Sequence, residues 1–318
     1  MNRIRMAVVG AGQFGRNHLR VVRDCPRAEL AAVVDIDPAR AQQVSAEFGC
    51  ASLRLEDLPG KVDAAVVATP TTAHAGIGVR LLEAGIHTLV EKPIAATPEE
   101  ATRLTRAAEA SRRVLQVGHL ERFNPAILAL DRRLTLPLFF EIHRLNVFSP
   151  RSLDVDVVLD LMIHDLDIVL AMTGKMPAEV QASGISILSG KVDIANVRLV
   201  FEGGCVANLT ASRVSTERVR KLRLFQPHQY VSLDYTKQEA AVFSVGADRK
   251  IGFEMLRVDK QEPLKLQLDS FLDAIAAGGK PRVSGEDALR ALVVSFDILA
   301  KIEKHARVVA KSISSGLW

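Results

Sequence analysis

The chain has 318 residues, enough for two domains that each bury a core, and 48% apolar with 25% charged residues is the balance of an ordinary globular protein. Its formal net charge is +4, from 41 basic and 37 acidic residues interspersed along the whole length, so no basic tail or cluster marks a nucleic-acid binder. Three widely spaced cysteines outside any C-x-x-C pattern read as reduced packing residues of a cytoplasmic protein, and the absence of a long apolar run predicts neither export nor a membrane span.

An apolar strand opens the chain and runs straight into Gly10, Gly12 and Gly15, after which a helix begins. The three glycines do different things. Gly10 allows the tight turn, Gly12 lets backbone approach a pyrophosphate, and Gly15 lets helix and strand pack closely. The N–H groups around Gln13 and Phe14 then face the phosphates at a helix N-terminus. A second apolar run over 29–35 ends in Asp35, twenty residues after Gly15, where a carboxylate accepts the ribose hydroxyls of an adenosine. Ile36 follows where an NADP enzyme more often carries arginine, which favours NAD, although Arg40 is near enough to keep NADP open.

The alternation continues with a helix over 38–48, a strand over 63–68, a helix over 72–84 with Gly85 as its C′ residue, and a strand over 87–90. Thr97-Pro98-Glu99-Glu100 is a capping box that opens a helix to about 112, and 114–117 is the next strand. This pattern predicts an α/β Rossmann domain over 1–118, a doubly wound parallel sheet with its ligand at the carboxyl ends of the strands. Past Gly118 the rhythm becomes strand-rich, with strands over 139–148, 179–186, 192–201, 205–212, 222–225 and 230–233 and one helix over 157–172. A second, α+β domain over 119–282 with a large, mostly antiparallel open sheet follows. Two further helices are expected over 263–277 and 284–305, the latter capped by Ser284 and Asp287.

Thr69-Pro70 and Glu91-Lys92-Pro93 each follow a strand end, where a parallel sheet presents side chains to a bound cofactor. Lys92 at such a place hydrogen-bonds a substrate hydroxyl, or is simply a solvated lysine at a loop start. The helix over 157–172 is apolar around most of its circumference except for a stripe of Asp160, His164 and Asp167 at i, i+4 and i+7. That stripe places a carboxylate one turn from an imidazole, which makes His164 a candidate general base oriented by Asp160. A solvated face, a satisfied core histidine, or a metal site from Asp160, His164, Asp165 and Asp167 are the other readings; no further His or Cys has ligand spacing to support the last.

These motifs together resemble the Gfo/Idh/MocA family of nicotinamide-dependent sugar and cyclitol dehydrogenases. The resemblance rests on Gly10-x-Gly12-x-x-Gly15, Asp35, Thr69-Pro70 with His74, Glu91-Lys92-Pro93 and Asp160-x-x-x-His164, and it spans the whole chain. It implies that Lys92, Asp160 and His164 form the catalytic group, that Thr69, Pro70, His74, Glu91 and Lys92 itself line the cofactor site, and that the peptide before Pro93 is cis. It also implies that the last helix, over 283–318, returns to the nucleotide domain, and that the open sheet forms a homodimer or homotetramer. Where many members carry a glycine-rich run before the catalytic aspartate, residues 154–159 here read Asp-Val-Asp-Val-Val-Leu. With residues 118–125 and 149–156 this is most similar to the branch that oxidises the 3-hydroxyl of UDP-N-acetylglucosamine before an aminotransferase acts, on a route to lipid A. Arg122, Arg144 and Arg151 are candidates for the sugar nucleotide's pyrophosphate and Asn124 for a sugar hydroxyl or amide, with surface or interface roles as the alternative. A dehydrogenase of free sugars or inositol, and a non-catalytic NAD-sensing regulator, are the competing functions.

Overall fold

The computed structural model describes residues 3–149 and 155–314, with side chains as far as 308. It falls into two units, Met1–Phe123 with Gln261–Leu289, and Asn124–Lys260 with Arg290–Trp318. In the first unit, β1 (Ile4–Val9), β2 (Ala28–Val34), β3 (Ala51–Ser52), β4 (Ala64–Val67), β5 (His87–Glu91) and β6 (Leu115–Gly118) form a parallel sheet in the order β3-β2-β1-β4-β5-β6. Helices α1 (Gln13–Asp24), α2 (Pro38–Phe48), α3 (Thr71–Glu83) and α4 (Pro98–Ser111) are the crossovers. Both faces of the sheet are covered, which is why Met6–Val9 and β4 read as unbroken apolar runs without alternation. The order reverses between β1 and β4, and that switch point at the carboxyl ends is where such a sheet takes its ligand.

The second unit contains α5 (Pro125–Leu130), β7 (Phe139–Val147), α6 (Ile163–Thr173), β8 (Pro177–Ile185), β9 (Ile194–Phe201), β10 (Val206–Ser215), β11 (Val219–Gln226), β12 (Gln229–Asp234), β13 (Glu239–Val245) and β14 (Ile251–Met255). Its sheet runs β14-β13-β12-β11-β7-β10-β9-β8. β13, β14 and the short α5 are additions to the elements expected from sequence. All pairs are antiparallel except β7 with β10, and the parallel pair is possible because α6 and the β8–β9 hairpin lie in the crossover. One face buries Phe140, Ile142, Leu199, Leu209, Leu222, Leu224 and Val231. The other carries a row of facing residues, Val200, Val206, Phe139, Phe225, Tyr230, Phe243 and Phe253, across seven strands. Neighbouring rings from Phe139 to Phe253 lie 4.9–5.8 Å apart, and Phe253 at the edge is 61% exposed.

The chain returns to the nucleotide unit over Gln261–Leu289. Leu264, Leu268, Phe271 and Leu272 of α7 (Pro263–Ala277) form a helical stripe that joins the core of Met6, Val8, Leu19, Val22 and Leu89. The last helix, α8 (Gly285–Ser314), is capped as expected: Ser284 N–H donates to Asp287 Oδ2 and Asp287 N–H to Ser284 Oγ. From Arg290 onward it belongs to the second unit, where Ile302 comes up against Gly184. Among the described residues no helix is long and apolar enough to cross a membrane.

Candidate active site

The glycine turn has the geometry its sequence demands. Gly10 sits at φ 102°, and a Cβ there would lie 2.5 Å from Ala68 O; a Cβ on Gly15 would lie 1.8 Å from Gly10 O, so helix and turn pack backbone to backbone. Around Gly12 the space that a side chain would fill is open. No side chain caps α1 and no acidic residue stands in its first turn, so the positive end of the helix dipole faces an anion without competition. Asp35 holds the turn from the next strand, its Oδ2 accepting from Ala11 N–H at 2.7 Å and its Oδ1 from Asp37 N–H at 2.9 Å. Oδ1 also lies 3.6 Å from Arg40 Nη1, and each oxygen, with one N–H bond made, has acceptor capacity left for a ribose hydroxyl. Thr69 Oγ1, just past β4, is buried without a hydrogen-bond partner among the described residues. An uncapped helix N-terminus, an open backbone cradle and an orphaned hydroxyl at the strand ends fit a dinucleotide, and these are the groups that would hold it.

Two residues that the resemblance places in the cofactor site, Glu91 and His74, are bound into the protein. Glu91 is 7% exposed: its Oε1 accepts from His18 Nε2–H at 2.7 Å and its Oε2 from Lys92 N–H at 3.2 Å. His74 is 1% exposed, with Nδ1 2.8 Å from Pro93 O and Nε2 2.9 Å from Thr69 O. Burial pushes the imidazole down from its ordinary value, and the two carbonyls and Glu91 oppose that. The ring stands between the two turns, one nitrogen at hydrogen-bond distance from Thr69 O and the other from Pro93 O; a neutral imidazole donates to one of them and rests against the other. The Lys92–Pro93 peptide is cis, and Pro70 is the N-cap of α3. Lys92 itself is half-buried.

In the second unit, residues 157–170 are buried except at Leu159, Asp160 and His164. The expected stripe is therefore narrower, because Asp167 is 1% exposed and faces inward. Val158–Met162 forms a π-helical turn, with Ile163 N–H reaching back to Val158 O, before α6 begins. Single π turns gather at functional sites, and this one carries Asp160 directly before the turn of His164. Among the described residues no group of three or more His, Cys, Asp or Glu is arranged to hold a metal ion.

The sugar-nucleotide candidates fare differently. Arg144 is 1% exposed and bidentate to Asp165, with Nε–Oδ2 2.7 Å and Nη2–Oδ1 2.8 Å, so its guanidinium is committed inside the protein. Asn124, 3% exposed, caps α5 by accepting from Ala126 N–H and donates to Tyr235 O, which again is a structural role. Arg122 and Arg282 donate to each other's carbonyls at 3.1 and 3.0 Å. Arg151 lies outside the described residues.

A buried carboxylate secures the entry to the π turn. Burial alone would raise the Asp193 carboxyl, but hydrogen bonds from Ser189 Oγ and from the N–H groups of Ser189, Leu188 and Ile187 outweigh it and hold the group well below the usual carboxylate range. Arg213 beside it donates to Val155 O, Asp156 Oδ1 accepts from Val192 N–H, and Val157 N–H donates to Val192 O. A depressed native pKa contributes stability that is full above the unfolded value, near pH 4, and is lost progressively as pH falls from there through the native value. Asp193→Asn is expected to lower stability at neutral pH by about 1–3 kcal/mol and to flatten part of the acid loss, read by urea titration between about pH 3 and 7.

With this geometry in view, the comparisons with known proteins are consistent along the chain. Residues 4–119 match the model described as an oxidoreductase family with an NAD-binding Rossmann fold, and residues 141–226 match its C-terminal domain. A UDP-N-acetylglucosamine 3-dehydrogenase of Acidithiobacillus ferrooxidans is 36% identical over 95% of this chain and 98% of its own. The chain belongs to the GFO/IDH/MocA oxidoreductase family. A solved structure of the Acidithiobacillus enzyme superposes with a TM-score of 0.91 at 35% identity, covering 96% of this chain and 99% of that one. An inositol 2-dehydrogenase of Rhizobium meliloti is more distant, 25% identical over 96% of this chain and 98% of its own. The Rossmann sheet, the mostly antiparallel second sheet and the NAD-binding first domain expected from sequence all stand. Two residues beneath the GFO/IDH/MocA motifs are not evident from the motifs themselves, His18 and Gly118. The signal for His18 is its place beside Gly15, Leu19 and Val22 on the buried face of α1, where a polar side chain needs a partner.

Proposed function

We propose that this protein oxidises the 3-hydroxyl of UDP-N-acetylglucosamine to the 3-keto sugar with NAD. The observation that carries this reading is the 36% identity to a UDP-N-acetylglucosamine 3-dehydrogenase over 95% of the chain. When bound, NAD accepts the hydride leaving C3. His164 takes the hydroxyl proton as general base, and Asp160 orients its ring and favours the imidazolium. The Lys92 ammonium donates a hydrogen bond to the same oxygen and steadies the charge that develops there. The N-terminus of α1 meets the cofactor's pyrophosphate, and Asp35 the adenosine ribose. Arg122 and Arg151 are assigned to the substrate's pyrophosphate. The aromatic row from Phe139 to Phe253 supports a homo-oligomer formed through the open sheet, because a monomer seldom leaves so long an apolar row to water.

The test is NADH formation by the purified protein given NAD and UDP-N-acetylglucosamine, with glutamate and an aminotransferase to draw off the ketone. NADH appearing with the UDP sugar and not with free N-acetylglucosamine or inositol supports the assignment. Turnover of inositol with no gain from a UDP group would move the protein to the other branch, which the Rhizobium relative represents. Tight NAD binding with no turnover of any sugar would favour a sensing role.

A further inference from the structure

The carboxylate of Glu91 is fixed from three directions, by its own neighbour Lys92 and by two elements far from it in sequence. His18, 3% exposed on the second turn of α1, donates Nε2–H to Oε1. Lys92 N–H donates to Oε2. On the third side stands Gly118 of β6, where any Cβ would lie 2.7 Å from Cδ, Oε1 and Oε2 alike. The strand thus leaves out a side chain at the one point where the carboxylate sits. A buried carboxylate with this much built around it is a joint in the fold, and what it joins is α1 to the turn that carries Lys92.

We propose that His18 is a positioning residue for Lys92: through Glu91 it fixes the lysine's backbone relative to the helix whose N-terminus receives the cofactor's pyrophosphate. This rests on the assignment of Lys92 to catalysis. The same helix that binds the phosphates then sets where the lysine stands. Phe14, one turn earlier on α1 and 45% exposed, packs edge-on to His18 at 5.7 Å, so the imidazole is held on its other side as well. A displacement of about 1 Å at a reacting group costs on the order of 100-fold in rate, and it need not alter binding of the phosphates.

The experiment compares His18→Leu, which keeps the packing and removes the donor, with His18→Gln, whose amide restores an N–H at similar reach. For each, kcat, KM for the sugar, the Kd for NADH by fluorescence titration and the melting temperature are measured, with Lys92→Met alongside. The expected result is a fall in kcat of about 10–100-fold in His18→Leu, a Kd for NADH within about threefold of the parent, and recovery of most of kcat in His18→Gln. Should His18→Leu fail to fold, Gly118→Ala pushes the same carboxylate from the opposite side and is expected to lower kcat with NADH affinity retained. Unchanged kcat in His18→Leu or Gly118→Ala overturns the proposal, as does a loss confined to NADH affinity or equal losses in the Leu and Gln variants. Normal turnover in Lys92→Met defeats the catalytic assignment instead, so the two failures are told apart.

Discussion

Replacing Lys92 by Met, or His164 by Asn, is expected to lower turnover by about 10²–10⁴-fold while the Kd for NAD changes little. The size follows from the chemistry each group supplies. Removing a hydroxyl proton as hydride departs needs a base whose protonation changes near neutral pH, and an imidazole is the side chain suited to that. His164 is the titratable group that, with Asp160, opens to solvent from an otherwise buried helix over 157–170. Lys92 follows the last residue of β5, at the edge of the sheet where the ligand of a parallel fold lies. Neither stands in the glycine turn, so NAD affinity depends on other residues. Stopped-flow NADH formation and an NAD binding titration on the same preparations separate the two quantities. Full turnover in both variants would remove the proton-transfer scheme, whereas loss of NAD binding would mean the substitutions had disturbed the first unit.

The fold is legible in the sequence because its cues are local. Apolar runs bounded by glycine and capping residues mark β1, β2 and β4 and the start of α4, and each depends on neighbours within a few residues. The glycine turn and Asp35 are legible for the same reason. The polar side chains are harder, since a sequence shows that a residue can bind and not what already binds it. Glu91 is taken up by His18, 73 residues away, and Asn124 by Tyr235, 111 residues away. Arg144 does carry a warning: strand alternation places it on the same face as the buried Phe140 and Ile142, a poor position for a substrate ligand. The π turn has no such signal, because one wide turn leaves the apolar pattern of the helix unchanged. β13 and β14 are hidden because Glu239, Ala240, Ala241, Gly252 and Glu254 dilute their strand propensity; pairing of β13 with β12 and of β14 with β13 supplies the rest.

Breaking the Arg144–Asp165 pair from one side is expected to cost about 3–5 kcal/mol, the largest single stability effect foreseen in the second unit. Both groups are out of water, at 1% and 2% exposure, and Arg144 lies 5.2 Å from the Tyr235 ring centre. In Arg144→Met the buried Asp165 carboxylate loses its two guanidinium bonds, and in Asp165→Leu the buried guanidinium loses the same two. Replacing both at once, Arg144→Met with Asp165→Leu, removes the two desolvation penalties together. The double variant should therefore recover most of the lost stability, giving a coupling energy of several kcal/mol in a urea-denaturation cycle. Equal losses in the double and single variants would show that packing around the pair, not the charges, carries the effect. The cost of breaking the pair weighs against a role for Arg144 at a substrate phosphate. Turning the guanidinium toward a ligand would break both bonds to the buried Asp165, one residue from His164, and a phosphate contact of about 1.5–3 kcal/mol would not offset that.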